Sequence, residues 1–266
     1  NGTYDSWYWA HPPMYMPKAC NLEDVAQVKA AVNIPVACAG RFDEPDVAEK
    51  AIAEGRIDMM GLGRPLLADP DMGNKFYQGN LADVRPCISC HQGCLGRIFQ
   101  GKDISCAVNP ACGREESYAL QPAVTKKKVL VVGGGLGGME AARVSSLRGH
   151  QVDLYEKTGQ LGGVFVAAST PYFKEDDRRL LDWYKKQVAD LPITVHMSTE
   201  VTAGMAAGYD EIFVATGAAE RTLDTPGFDA PNVTYACDTL CTSPVKGDNV
   251  LIVGGGLTGC ELAYLY

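Results

Sequence analysis

The fold of this chain is decided by the stretch VLVVGGGLGG at residues 129–138. Its four apolar residues predict a buried strand, and Gly133, Gly135 and Gly138 follow in the spacing G-x-G-x-x-G. A predicted helix from Met139 to Arg148 comes directly afterwards. Between a strand and a helix, these glycines allow a tight turn, close approach of the backbone to a pyrophosphate, and close packing of the helix. The stretch therefore predicts a dinucleotide-binding α/β unit whose helix N-terminus faces the pyrophosphate.

An acidic residue ends the next predicted strand. Glu156 lies 23 residues beyond Gly133, where a carboxylate accepts hydrogen bonds from the ribose hydroxyl groups of a bound nucleotide. It indicates a ribose without a 2′-phosphate. Two further glycine turns supply three more candidate cofactor contacts, with plain turn chemistry as the alternative. These contacts are Gly163, Thr216 and Gly217.

The same design recurs 121 residues later, near the end of the chain. Residues 250–253 form a second apolar run that predicts a strand, and Gly254, Gly256 and Gly259 repeat the glycine spacing. The sequence from there to Tyr266 is long enough for roughly two helical turns. Two dinucleotide turns in one polypeptide suggest one flavin and one nicotinamide cofactor.

The segment from residue 85 to residue 121 is a different kind of module, with five cysteines and no sustained hydrophobic period. Cys87, Cys90, Cys94 and Cys106 have the spacing C-x2-C-x3-C-x11-C. Two tight turns can bring the first three thiolates together and a longer loop can return the fourth, so all four can bind one centre. The pattern favours an iron–sulfur cluster, with a structural zinc site as the alternative. Cys112 is interpreted as a packed bystander.

The first part of the chain alternates strand and helix signals. A helix is predicted over Asn21–Val32, a strand over 35–39, a second helix over Asp43–Glu54 with Asp43 as its cap, and a strand over 57–62. The two predicted strands run into glycine–arginine pairs, which are Gly40-Arg41 and Gly63-Arg64. This pattern indicates alternating α/β architecture.

The composition excludes several classes of protein. The chain is 46% hydrophobic and 21% charged with a net charge of −8, and its longest basic block is Lys126–Lys128, so a nucleic-acid partner is not expected. It has no run of 18 apolar residues and begins with no basic or apolar leader. We therefore expect no membrane span, no signal peptide and a cytoplasmic location. Ten cysteines in a chain of this size indicate metal or redox chemistry rather than a disulfide scaffold.

Together these residues resemble the multidomain relatives of old yellow enzyme. The resemblance rests on the four-cysteine loop, the sequence Val108-Asn109-Pro110 behind it, the two glycine–arginine turns and the first glycine-rich turn, and it covers nearly the whole chain. The family includes 2,4-dienoyl-CoA reductase, 2-enoate reductase, bile-acid and isoflavone enoate reductases, and trimethylamine dehydrogenase. Its members combine an FMN barrel, a 4Fe-4S loop, an FAD domain and an NAD(P)H domain.

The resemblance implies an α/β protein of four segments. Residues 1–84 would be the C-terminal portion of an FMN-binding (β/α)8 TIM barrel, beginning before its seventh strand. Residues 85–121 would hold the 4Fe-4S cluster. Residues 122–247 would form a Rossmann-like domain that binds FAD, or ADP alone, and residues 248–266 would start an NAD(P)-binding domain and end inside its first helix.

The resemblance also implies roles for individual residues. Cys87, Cys90, Cys94 and Cys106 would ligate the 4Fe-4S cluster. The loops after strands seven and eight of such barrels form a phosphate site. The FMN phosphate would therefore be held by Gly40, Arg41, Gly63 and Arg64, with plain loops as the alternative.

The stretch WYWAHPP at residues 7–13 would lie over the flavin. His11 and Tyr8 are therefore candidate catalytic residues that hold a substrate carbonyl. The alternative for His11 is a hydrogen-bonded histidine without a catalytic role.

The implied activity is reduction of the C=C bond of an α,β-unsaturated carbonyl, with electrons passing from NAD(P)H to FAD, singly through the 4Fe-4S cluster, and then to FMN. The expected partner is a small unsaturated molecule such as an enoate, an enoyl-CoA or a related enone, and a homo-oligomer is left open. Two alternatives remain at this point. One is an amine dehydrogenase of the trimethylamine dehydrogenase type, and the other is a non-catalytic electron-transfer fragment or an incomplete gene product.

Overall fold

The computed structural model describes residues 3–221, 224–241 and 247–266. Asn1 and Gly2, where the predicted barrel segment begins, lie outside the described residues. The chain divides into two compact units, Asn1–Ala119 and Leu120–Tyr266. None of the helices in the described ranges combines the length and the apolar character needed to cross a bilayer.

The first unit contains two short parallel strands and six α-helices within its described residues. The strands are β1 (Ala37–Cys38) and β2 (Met59–Met60). The helices are α1 (Trp7–Ala10), α2 (Leu22–Ala31), α3 (Pro45–Ala53), α4 (Arg64–Ala68), α5 (Met72–Tyr77) and α6 (Leu95–Ile98). Ala37 pairs with Met59 and Cys38 with Met60. The core of this unit is formed by Leu22, Cys38, Phe42, Ala48, Ala51 and Ile57.

Helix α3 starts later than its sequence predicts. Its N-cap is Glu44, and Pro45 occupies the first turn, where the fixed φ of proline suits the start of a helix. Asp43 makes an ion pair with Lys18 at 2.9 Å instead of capping the helix. The predicted cap was therefore wrong by one residue, and the buried Asp43 carboxylate fastens the loop behind β1 to an earlier segment.

The second unit is built on a four-stranded parallel sheet. Its strands are β3 (Lys128–Val132), β4 (Gln151–Tyr155), β5 (Ile193–His196) and β6 (Glu211–Val214), in the spatial order β5-β4-β3-β6. Its helices are α7 (Leu136–Leu147), α8 (Phe165–Ala168), α9 (Glu175–Asp190), α10 (Ala236–Cys241) and α11 (Leu257–Leu265). The two central strands are buried through Val129, Leu130, Val131, Val152 and Leu154. Parallel strands of this kind need crossover connections, and α7 forms the one between β3 and β4. The α/β class with parallel sheets, predicted from the sequence, is confirmed.

The structure of this unit differs from the sequence prediction at two places. Helix α7 begins at Leu136 rather than Met139, because Gly135 already serves as its N-cap. The apolar run at residues 250–253 forms no strand in the described part of the chain, although α11 follows Gly256 as expected. A strand needs a hydrogen-bonded neighbour, and no described strand pairs with this run.

Candidate functional site

One cavity of about 420 Å³ in the first unit brings most of the predicted flavin residues together. This volume lies within the usual range for small-molecule sites. Predicted site residues that line it are His11, Gly40, Arg41, Gly63, Arg64, Cys87 and Cys94. The cavity is therefore shared by the loops behind β1 and β2 and by the cysteine loop.

The loop behind β1 has an unusual backbone. Gly40 has a φ of +114° and Arg41 a φ of +48°, and a Cβ on Gly40 would collide with the side chain of Asn21. Only glycine fits the first of these positions without strain. The Arg41 guanidinium donates hydrogen bonds to the carbonyl oxygens of Met14, at 2.5 Å, and Met16. Arg41 thus fixes the segment that follows His11, a role that the sequence did not predict.

Arg64 lies between the flavin cavity and the cysteine loop. Its Nη2 donates to the carbonyl oxygen of Pro12 at 2.9 Å, and its Nη1 lies 2.5 Å from Nε2 of His91. Burial, together with the Arg64 charge and nearby His11, lowers the pKa of His91 to about 4. His91 is a functional candidate that sequence reasoning missed, although its place directly after Cys90 was a visible signal.

The structure separates the two predicted catalytic residues. His11 lines the cavity, its ring lies 4.7 Å from that of Trp7, and burial followed by the Arg64 charge lowers its pKa. A neutral imidazole can donate one hydrogen bond to a substrate carbonyl. Tyr8 is 51% exposed and is not among the residues that line the cavity.

The cysteine loop folds through close backbone contacts. Ser105 donates from its backbone N–H to the carbonyl oxygen of Gly93 at 2.8 Å. A Cβ on Gly93 would lie 2.8 Å from the carbonyl oxygen of Ser105, so the two segments can approach only at a glycine. This contact brings the chain at Cys94 next to the chain at Cys106.

Side-chain hydrogen bonds hold the cysteine loop against α4. The Asn109 amide donates to the carbonyl oxygen of Leu67 at 2.9 Å. The Asp69 carboxylate, which is buried, accepts from the Arg85 backbone N–H at 2.8 Å and from Lys75 Nζ at 2.6 Å. These contacts explain the structural role of Asn109 within the sequence Val108-Asn109-Pro110. Its side chain binds the end of the cysteine loop to α4, the helix that begins at Arg64.

The four predicted ligand cysteines line one small cavity, next to the apolar side chains of Leu67, Ile88 and Val108. Among the described residues, no three His, Cys, Asp or Glu side chains are grouped closely enough to hold a single metal ion. Each cysteine of a 4Fe-4S cluster binds a different iron, so cluster ligands stand further apart than the ligands of one tetrahedral zinc. Four thiols around one apolar cavity are a suitable ligand set for such a cluster.

Cys112 lies beside this group without lining its cavity. It is buried, and burial, followed by the nearby Cys106, raises the pKa of its thiol. Its burial outside the cavity fits the interpretation of Cys112 as a packed thiol.

The first glycine turn of the second unit is tightly packed. Gly133 has a φ of +105°, and a Cβ there would collide with the Ala215 carbonyl oxygen. A Cβ on Gly138 would collide with the carbonyl oxygen of Gly133. Around Gly135 nothing lies within 4 Å of a Cβ position, so the space in front of α7 is open. This is the space that a pyrophosphate needs.

Glu156 lies against the same turn. Its two carboxylate oxygens accept hydrogen bonds from the backbone N–H groups of Gly134 at 2.7 Å and Thr158 at 2.8 Å. Burial alone would raise the pKa of Glu156, but these hydrogen bonds outweigh it and lower the pKa. The ionised carboxylate orders the turn. Its remaining lone pairs can accept hydrogen bonds from the hydroxyl groups of a ribose.

The other predicted nucleotide contacts fall into two places. Gly163, with a φ of +53°, borders the first turn, because its Cβ would lie 3.3 Å from the Cα of Gly135. Thr216 and Gly217 follow β6, at the carboxyl edge of the sheet where ligands of parallel α/β sheets bind.

The second turn repeats the packing of the first. Gly254 has a φ of +117°, a Cβ on Gly259 would collide with its carbonyl oxygen, and the surroundings of Gly256 are open. The two glycine motifs therefore share one backbone design, with an open middle glycine in each.

Comparison with known proteins agrees with this geometry. Residues 5–82 match the NADH:flavin oxidoreductase / NADH oxidase family, and residues 127–266 match the pyridine nucleotide-disulphide oxidoreductase family. Cinnamate reductase from Clostridium sporogenes is 47% identical over 98% of this chain and 39% of its own length. NADH oxidase from Thermoanaerobacter brockii is 39% identical over 99% of this chain and 42% of its own length.

A solved structure extends the likeness to three dimensions. A 2-naphthoyl-CoA reductase in complex with 2-naphthoyl-CoA superposes with a TM-score of 0.89 at 35% identity, over 95% of this chain and 39% of that one. The chain thus spans about two fifths of the length of these relatives. The matched families indicate FMN, FAD and NAD(P)H as cofactors. The chain belongs to the pyridine nucleotide-disulphide oxidoreductase family through residues 127–266, and its residues 5–82 resemble the NADH:flavin oxidoreductases related to old yellow enzyme.

Proposed function

We propose that this chain is part of an NAD(P)H-dependent ene-reductase. In the whole protein the bound cofactors would carry electrons from NAD(P)H through FAD, 4Fe-4S and FMN to the C=C bond of an α,β-unsaturated carbonyl. The similarity to a cinnamate reductase and a 2-naphthoyl-CoA reductase supports an aryl-substituted unsaturated acid or thioester as the substrate class.

Each segment has its own task in this proposal. Residues 1–84 complete a TIM barrel around FMN, residues 85–121 hold the cluster, residues 122–247 bind FAD, and residues 248–266 begin the NAD(P)-binding domain. The cluster ligands are Cys87, Cys90, Cys94 and Cys106.

The residues of the first cavity bind the flavin and orient the substrate. Arg64, with Gly40 and Gly63 beside it, provides positive charge and backbone N–H groups for the FMN phosphate. His11 lines the same cavity and stays neutral, so its imidazole N–H can hold and polarise a substrate carbonyl. Arg41 keeps the backbone next to His11 in place.

The residues of the second unit bind two dinucleotides in the same manner. The open space at Gly135 and Gly256 admits a pyrophosphate at the start of α7 and α11. The Glu156 carboxylate accepts hydrogen bonds from the ribose hydroxyl groups in the adenosine half of FAD.

A single observation carries the proposal. Cys87 and Cys94 line the same cavity as Arg64 and His11, so the cluster loop and the flavin loops share one wall. That arrangement supports electron transfer between a cluster and a flavin.

The test uses the full-length protein, purified and assayed without oxygen. Acid release followed by mass spectrometry should give FMN and FAD, and metal analysis should give about four irons for each chain. NADH or NADPH should then be oxidised on addition of cinnamate, of an aryl enoyl-CoA or of an enone, with formation of the saturated product. Amine-dependent reduction of an electron acceptor, without turnover of any enoate, would instead support an amine dehydrogenase. Stoichiometric zinc in place of iron would contradict the proposal.

A further inference from the structure

The contact between Arg64 and His91 joins two parts of the first unit that have separate tasks. His91 lies in the cysteine loop between Cys90 and Cys94, and Arg64 lies at the start of α4, behind β2. Their side chains are 2.5 Å apart, although 27 residues separate them in sequence. Arg64 also lines both the flavin cavity and the cysteine cavity.

The roles of donor and acceptor in this contact are fixed by chemistry. A guanidinium has five N–H donors and no acceptor, so Nε2 of His91 must accept and its proton must lie on Nδ1. The carbonyl oxygen of Pro12 accepts a second hydrogen bond from Arg64 Nη2 at 2.9 Å. The Arg64 guanidinium therefore links the His91 ring to the backbone at Pro12.

The backbone of the cysteine loop adopts a left-handed conformation at and near the residue that makes this contact. His91 has a φ of +60° and Ser89 a φ of +51°, which is the left-handed region that side chains seldom adopt. Gly96 donates from its backbone N–H to the His91 carbonyl oxygen at 2.8 Å and helps to hold this conformation. Strained backbone of this kind persists where the surrounding structure fixes it and is frequent at functional sites.

Arg64 keeps donors available while it makes these contacts. In the described part of the chain its guanidinium uses two N–H groups, one toward His91 and one toward Pro12. Three N–H donors remain for an anion in the cavity. A long arginine side chain loses considerable rotamer freedom when it is fixed, so a partner that fixes it in advance improves anion binding.

We propose that His91 is a positioning residue that holds the Arg64 guanidinium toward the flavin phosphate, so that the cysteine loop helps to assemble the FMN site. The inference rests on the proposed function, in which this cavity holds FMN. It adds that a residue of the cysteine loop, which is not itself a ligand, determines how strongly the phosphate is recognised.

The test compares FMN with riboflavin, which lacks the phosphate. Full-length protein is stripped of FMN with its iron retained, and the dissociation constant of each flavin is measured by fluorescence quenching. The ratio of the two constants reports recognition of the phosphate alone. A purely structural role for His91 would weaken both flavins equally and leave the ratio unchanged.

Three variants and a control give the expected pattern. Arg64→Leu should lower the preference for FMN over riboflavin by about ten- to a hundredfold, as expected for loss of a hydrogen bond to a charged group. His91→Asn, whose amide is too short to reach Arg64, should lower it by about tenfold, whereas His91→Gln can place an acceptor near Nε2 and should restore most of it. Gln92→Ala, at the exposed neighbouring position, should leave the ratio unchanged.

The outcomes separate this inference from the proposed function. If the wild type does not prefer FMN, or if Arg64→Leu keeps the preference, the assignment of the flavin phosphate to Arg64 fails. If Arg64→Leu loses the preference while His91→Asn at full iron content keeps it, His91 has no positioning role. A double variant should lose no more of the preference than Arg64→Leu alone, since both changes remove the same interaction. Additive losses would overturn the inference.

Discussion

At the scale of single residues, the two glycine turns separate glycines that the fold needs from glycines that a ligand needs. Gly133 and Gly138 have no room for a Cβ, because carbonyl oxygens occupy the positions that it would take. Gly135 has open space and an ordinary negative φ of −71°. The structure itself therefore tolerates a side chain at Gly135, and only a bound dinucleotide would exclude one.

We predict that Gly135→Val folds normally and loses its FAD. A Cβ at Gly135 meets no protein atom within 4 Å, and the valine methyl groups beyond it would occupy the path of the pyrophosphate. The measurement is the content of FAD, FMN and iron after purification, together with the circular dichroism spectrum. Gly137→Ala, an exposed position of α7 with equally open surroundings, is the matched control and should keep FAD. A Gly135→Val protein with full FAD content would show that the turn is not the pyrophosphate site.

The cysteines allow a second comparison of matched variants. Cys106→Ser should lose most of its iron, because it removes a proposed ligand at the cavity of the four cysteines. Cys112→Ser should keep iron, since its buried thiol lies outside that cavity. Iron analysis and the broad absorbance of the cluster after flavin removal provide the measurement. The reverse pattern would mean that Cys112 is the fourth ligand.

At the scale of elements, the start of α9 contains a cluster of charged groups that the sequence did not single out. Asp177 is 5% exposed, and burial raises its pKa to about 6, with Lys174 acting against this shift and Asp176 and Glu261 adding to it. Lys174 makes an ion pair with Glu261 of α11 at 2.8 Å and lies 3.9 Å from Asp177. The same cluster therefore connects α9 to the helix of the second glycine turn.

This cluster predicts a local dependence of stability on pH. A carboxyl group whose pKa is higher in the folded state binds a proton more readily there, so its contribution to stability is full below about pH 4 and is lost as the pH rises through about 6. We expect hydrogen exchange at residues 174–180, corrected for the intrinsic rate, to show less protection at pH 7 than at pH 5. Asp177→Asn should remove most of that difference. Equal protection at both pH values in the wild type would show that Asp177 titrates normally.

The sequence predicted the strongest elements and the grouping of the four cysteines around one cavity, because local chemistry is sufficient for both. The glycine spacing after an apolar run identified the β3-α7 turn, and the four cysteines identified their own loop. The apolar run at residues 250–253 was predicted as a strand because periodicity does not reveal whether a neighbouring strand is present. The position of His91 directly after Cys90 was a visible signal, but the partners of Arg41 and His91 are distant in sequence and depend on tertiary packing, so no local pattern could identify those partners.

At the scale of the whole molecule, the two units carry different proposed cofactor sites. The first unit contains the cavity with the flavin loops and the cysteine loop, and the second contains both dinucleotide turns. An enzyme in which NAD(P)H reduced FMN directly would need only the flavin cavity of the first unit. The proposed function therefore requires that electrons from NAD(P)H enter through the second unit.

The most direct measurement of this claim is anaerobic turnover by the full-length Gly135→Val protein that retains FMN and iron. An unsaturated acid that the wild type reduces, such as cinnamate, is supplied with electrons either from NAD(P)H or from chemically reduced methyl viologen, which needs no nucleotide site. The account predicts that the wild type forms the saturated acid from both donors, and that the FAD-free variant forms it from reduced viologen but not from NAD(P)H. Formation of the saturated acid from NAD(P)H at the wild-type rate by the variant would contradict the account.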